Sequence, residues 1–99
     1  MVTEEDVLTV LKEVSDPEIG LNVVDLGLVY GIDIEEDGKV FVRLTLTAPG
    51  CPLHETISRA AEMAIETLDG VKEAHVEVVW DPPWTPDLIS DEGRRLLGL

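Results

Sequence analysis

The chain has 99 residues, enough for one compact domain around one core, and 44% of them are apolar, a proportion that sets it apart from disordered chains. Its formal net charge of −14 weighs against nucleic acid or an anionic membrane as partner, since both need clustered Lys and Arg. No apolar run approaches the roughly 18–20 residues that span a bilayer, and a single cysteine excludes an internal disulfide framework.

The chain starts Met1-Val2-Thr3-Glu4-Glu5-Asp6, which is acidic where a signal peptide needs a basic start, so a cytoplasmic location with a reduced thiol is expected. Thr3 is placed to cap a helix whose apolar positions Val7, Leu11 and Val14 share one face, with Leu8 widening the stripe. Asp6 stands at the third position after the cap, as a capping box requires. Asp16-Pro17 is expected to end this helix, because the residue before proline disfavours the α region.

From Val23 to Glu36 the pattern changes to period two, predicting a strand with Leu26, Leu28, Tyr30, Ile32 and Ile34 on one face. Gly27 and Gly31 within it mark bulges or close backbone approach. Asp37-Gly38 is a hairpin turn signal, and the return strand runs Lys39 to Thr47. Pro49-Gly50-Cys51-Pro52 breaks that strand. A helix is then expected from about Leu53 to Leu68 with the stripe Leu53, Ile57, Ala60, Ala64 and Leu68; Asp69-Gly70 stops it. Its outer face carries Glu55, Arg59, Glu62 and Glu66.

A third strand, Val71 to Asp81, places Trp80 on its apolar face. Asp81-Pro82-Pro83-Trp84-Thr85-Pro86 forms a proline-stiffened loop, and Ser90 caps a short last helix. The predicted fold is a two-layer α/β (α+β) sandwich, α-β-β-α-β with a short C-terminal helix. The first two strands are antiparallel and the third is parallel to the second. The face away from the helices is expected to be polar, bearing Asp25, Thr45, Thr47, His75 and Glu77. Three strands make a thin sheet, which a homodimer would extend.

Cys51 is the most chemically capable side chain. It lies between a strand and a helix N-terminus, where unpaired N–H groups and the positive dipole end favour the thiolate. A small buried cysteine at a helix start is the plain alternative. His54, three residues on, would add a second ligand for iron or zinc, but two ligands do not complete a site; a solvated histidine explains it as well. Spacing alone makes Asp16-Pro17-Glu18 turn chemistry. Trp84, between prolines, is either a rigid docking anchor or packing under its loop. There is no phosphate loop, Cys-x-x-Cys pair or paired-histidine zinc motif. The acidic excess provides solubility, with attraction to a basic partner or a cation as the sharper consequence. A single Asn, no Gln and many Glu lean toward a thermophilic source.

Four runs occur here in a familiar order: Asp16-Pro17-Glu18-Ile19, Val24-Asp25-Leu26-Gly27-Leu28-Val29, Leu44-Thr45-Leu46-Thr47 leading to Gly50-Cys51-Pro52, and Asp81-Pro82-Pro83-Trp84. With them the chain resembles, over almost its whole length, the metal-sulfur cluster biosynthetic family that includes SufT, PaaD and the eukaryotic MIP-eighteen proteins. The resemblance implies an iron–sulfur assembly domain of the order derived above. Its partners would be assembly proteins or apo clients, and a transient cluster or iron would be its cargo. The family's reactive cysteine falls on Cys51. Its acidic motif falls on Asp16 and Glu18, with Asp25 and Thr47 lining the same pocket; His54 is not a family signature. The PaaD branch carries a cysteine-bearing tail, and this chain ends at Leu99 without one, which favours a SufT-like role. The expected function is therefore a maturation factor without turnover of its own. The alternatives are a thiol-dependent enzyme with Cys51 as nucleophile and a scaffolding adaptor.

Overall fold

The first helix starts where the capping pattern places it. The Thr3 hydroxyl accepts the Asp6 N–H at 3.1 Å, and the Asp6 carboxylate accepts the Thr3 N–H at 3.0 Å. In this computed structural model, which describes residues 2–17, 19–47 and 54–98 apart from the side chain of His54, the order is α1 (Glu4–Leu11), β1 (Val29–Ile34), β2 (Lys39–Leu44), α2 (His54–Glu66), β3 (Glu73–Val78), a 3-10 turn (Pro86–Leu88) and α3 (Asp91–Leu97).

α1 closes earlier than Asp16-Pro17 alone would require. Glu13 and Val14 donate to Val10 and Leu11 in tight turns, which frees the Val14 carbonyl to accept the Val23 N–H at 2.9 Å. The alternation that begins at Val23 becomes a strand only at Val29. Residues 23–27 wind instead, with Leu26 donating to Asn22, Gly27 to Val24 and Leu28 to Val23, each at 3.0 Å. Leu26 and Leu28 are buried as expected, but by a turn rather than a pleat.

β1 and β2 pair antiparallel around the Asp37-Gly38 turn, where Gly38 has φ +93. Their register shifts between Val29 and Gly31, a bulge that frees Tyr30 to donate its hydroxyl to the Pro82 carbonyl at 2.8 Å. β2 and β3 run parallel from Lys39↔Glu73 to Leu44↔Val78, giving the order β1-β2-β3. α2 packs chiefly on β3, and α1 on α2 and β1.

The core joins Val7 and Leu11 of α1, Val40, Val42 and Leu44 of β2, Ala74 of β3 and Ile57, Ala61 and Ile65 of α2. The buried stripe of α2 is therefore rotated from the expected one: Ala61 and Ile65 face in and Ala60 is exposed. The reason is polar. Glu62 and Glu66 lean toward β3 and accept the N–H groups of Val76 and Ala74 at 3.0 and 3.3 Å.

The opposite sheet face is polar, as expected, through Asp33, Arg43, Glu73, His75 and Glu77. Arg43 reaches Asp33 at 3.0 Å, and His75 bonds Glu73 at 2.8 Å while stacking on Phe41. Asp25 and Thr45 are not on that face. Both are buried, because the chain turns inward before β1 and after β2. Among the described residues, no helix is long and apolar enough to cross a membrane.

Candidate functional site

Asp16 is held in a closed loop. Ser15 and Asn22 form an isolated antiparallel bridge, the Asp16 N–H donates to Leu21 at 3.0 Å, and the Gly20 N–H returns to the Asp16 carbonyl at 2.8 Å. Asp16 is only 5% exposed. This loop forms one wall of a groove through Glu13, Ser15 and Pro17; the other wall is the first turns of α2, through Thr56, Ile57 and Ala60. The groove brings the Asp16-Pro17 segment to the head of α2, three residues beyond Cys51 in the chain. A helix N-terminus carries partial positive charge, so this end of the groove favours an anionic group.

Thr47 is half-buried where the chain leaves β2. Glu18 and residues 48–53, with Cys51, lie outside the described residues, as does the His54 side chain. Within the described residues no group of three or more His, Cys, Asp or Glu side chains is arranged to hold a metal ion. His75, the other histidine, stands on the open sheet face, occupied by Glu73 and Phe41.

Asp25 is bonded to the turn before β1 and to the start of α3. Its carboxylate accepts from Asn22 Nδ2 at 2.6 Å and from the Ser90 hydroxyl at 2.8 Å, and its carbonyl accepts the Ser90 N–H at 2.8 Å. Ser90 is the N-cap of α3 and accepts the Gly93 N–H at 2.9 Å. Asp25 therefore ties the turn before β1 to the last helix. The Asn22 hydrogen bond holds its carboxyl below the usual aspartate value. Burial opposes that shift, while Ser90 and the Lys12 charge add to it. Neither the Asp16 nor the Asp25 side chain is among those lining the groove between the Ser15–Pro17 segment and α2.

Of the two tryptophans, only Trp80 departs from its expected environment. Trp80 lies beyond the end of β3 and is 41% exposed, because the pleat that would have turned it inward stops at Val78. Trp84 is half-buried against the core, and its indole N–H donates to the Leu26 carbonyl at 2.6 Å. Of the two readings of Trp84, packing under the loop describes its contacts. Trp84→Phe keeps most of the ring contact and orphans the Leu26 carbonyl. It is expected to cost about 1 kcal/mol, a fall of roughly 4–8 °C in Tm for a domain of this size, measured by thermal unfolding.

Sequence reasoning missed Thr45, whose side chain is 1% exposed and whose hydroxyl has no hydrogen-bond partner among the described residues. Alternation gave no signal for it, since it falls on the outward phase of the strand. It also missed Ser90 as the partner of Asp25, for which an Asx-type pair such as Asn22/Asp25 three residues apart was the only local cue.

The chain belongs to the iron–sulfur cluster assembly protein family, whose model matches residues 4–78, from the first residue of α1 to the last of β3. Over 96 residues it is 44% identical to an Fe-S protein maturation auxiliary factor of Porphyromonas gingivalis, covering 97% of this chain and 91% of that one. It is 42% identical to the Fe-S protein maturation auxiliary factor YitW of Bacillus subtilis, covering 97% of this chain and 94% of that one. Among solved structures, a conserved hypothetical protein from Thermotoga maritima superposes with a TM-score of 0.83 at 50% identity, covering 99% of this chain and 96% of that chain.

Proposed function

We propose that this chain is an iron–sulfur protein maturation factor that takes up a cluster or iron transiently through Cys51 and hands it to a client, without turnover of its own. The observation that carries this reading is the groove shared by the Asp16-Pro17 loop and the head of α2. The Cys51 segment leads directly into that helix. The cluster is cargo here. The described residues offer no three-donor group, so the cargo draws on the Cys51 thiolate, on carboxylates of the Asp16–Glu18 loop, and on ligands brought by the partner.

The α2 N-terminus lowers the cost of the anionic thiolate and of a negatively charged cluster. A single thiolate also holds such a cargo weakly, which suits release. The near-complete coverage of the maturation-factor relatives supports a role carried by this domain itself.

The test is anaerobic reconstitution of the wild type and Cys51→Ser with iron and sulfide, followed by transfer to an apo client. Bound iron and client activation are expected to fall to background in the variant while its fold persists. Equal loading of both proteins would remove Cys51 from the role. In the thiol-enzyme alternative, Cys51 would need His54 or His75 as a base; His75 is already hydrogen-bonded to Glu73.

A further inference from the structure

The outward edge of β3 is sealed in part and open in part. In the β2–β3 ladder, alternation directs the amides of Ala74, Val76 and Val78 away from β2, since Val79 donates inward to the Leu44 carbonyl. An unpaired edge of this kind invites another strand. Here α2 runs antiparallel to β3 beside it, and two carboxylates close the first two rungs: Glu66 takes the Ala74 N–H and Glu62 takes the Val76 N–H.

The spacing explains the match. Four helical residues rise about 6 Å, and two strand residues advance about 6.6 Å, so each helical turn meets the next outward amide. The third rung of this series pairs Ser58 with Val78. Serine is too short to close it: Ser58 Oγ is buried and has no hydrogen-bond partner among the described residues. At this same place a groove opens between α2 and β3, floored by Val76, Val78 and Ala60, with Met63 exposed on its wall.

We propose that this open rung docks a short extended segment of a partner protein that carries Lys or Arg side chains. The partner backbone pairs with the Val78 N–H and C=O. Its alternate apolar side chains sit on Val76, Val78 and Met63. Its cationic side chains meet Glu55 at the rim, since Glu62 is already held by the Val76 N–H and by Arg59 at 3.5 Å. A second copy is the poorer occupant, because it brings another formal charge of −14 to an edge already rimmed by glutamate. The inference does not depend on how cargo is held at Cys51.

The experiment is an NMR titration of the isotope-labelled full chain with a short synthetic peptide alternating valine and lysine, and with its valine–glutamate counterpart. The lysine peptide is expected to produce saturable shifts at residues 55–63 and 76–79, and the glutamate peptide none. Ser58→Glu adds the third carboxylate and closes the rung. It is expected to weaken the lysine peptide by roughly tenfold or more, equivalent to about 1.4 kcal/mol, although it makes the protein more acidic.

General electrostatic attraction predicts the opposite sign, so equal or tighter binding by Ser58→Glu overturns the proposal. Shifts spread over the whole acidic surface overturn it as well. So do shifts at 76–79 that appear on concentrating the protein alone, which would assign the edge to a second copy. Ser58→Gln, neutral but long enough to reach Val78, carries the same prediction if the glutamate variant fails to fold.

Discussion

Gly27→Ala is expected to remove a large part of the stability of this domain. Gly27 has φ +78, where an L side chain costs about 1–2 kcal/mol. A Cβ there would also lie 2.3 Å from the Leu88 carbonyl oxygen and 2.7 Å from the Leu88 Cβ. The first of these neighbours is backbone, so the 3-10 turn must move away, a displacement of the kind that costs a further 1–3 kcal/mol or so. The sum, about 2–5 kcal/mol, is a large share of the roughly 5–15 kcal/mol that holds a domain together.

Urea and thermal unfolding measure it, and Gly20→Ala is the control. Gly20 has φ +80 but open space where its Cβ would go, so its variant bears the backbone cost alone. Equal losses at the two positions would mean that the Leu88 contact yields freely.

Asp25→Ala is expected to cost about 1.5–3 kcal/mol, the range for hydrogen bonds to a charged group, and to loosen α3 first. The substitution strands the Asn22 amide and the Ser90 hydroxyl together, and Ser90 is the cap of that helix. Hydrogen exchange at Gly93 and Arg94 should rise before exchange in the sheet does.

The pH dependence has a defined sign. The folded-state pKa of Asp25 is lowered, so its contribution is complete above the unfolded value of about 3.9 and is lost as pH falls through the folded value. Asp25→Asn, nearly isosteric, should therefore lie furthest below wild type at neutral pH, and the gap should narrow on acidification. A gap that stays constant down the acid limb would show that the charge itself contributes nothing.

These two sites also show how far the chain could be read without its fold. Thr3 with Asp6, Asp37-Gly38 and Ser90 were legible because capping and turn chemistry act over three or four residues, and each made the bond its sequence promised. The period-two reading from Val23 was right about which residues are buried and wrong about how, since a wound turn hides Leu26 and Leu28 as well as a pleat does. Of the expected α2 stripe, Ile57 is buried and Ala64 and Leu68 pack against the core, but Ala61 and Ile65 take the innermost places and Ala60 is exposed, because helical periodicity counts Glu62 and Glu66 as solvent-facing. It has no means of seeing the strand edge whose amides they bind. Trp80 was misplaced for a similar reason: alternation carried it inward past the point where β3 stops.

For the candidate site the division is sharper. Sequence motifs alone identified the family, Cys51 as the thiol and Asp16 as part of its setting, and the comparisons bear out the family. The tertiary structure placed the Ser15–Pro17 segment and the first turns of α2 on one groove, tied Asp25 to the cap of α3, and pinned Trp84 on Leu26.

What the sequence by itself determined is the order and polarity of the elements and the family to which the chain belongs, because caps, turns and motifs are local in the chain. Only the tertiary structure decided which carboxylates are spoken for and which edge of the sheet stays open. Those outcomes depend on backbone N–H groups far away in the chain competing for the same side chains, and no local pattern records that competition.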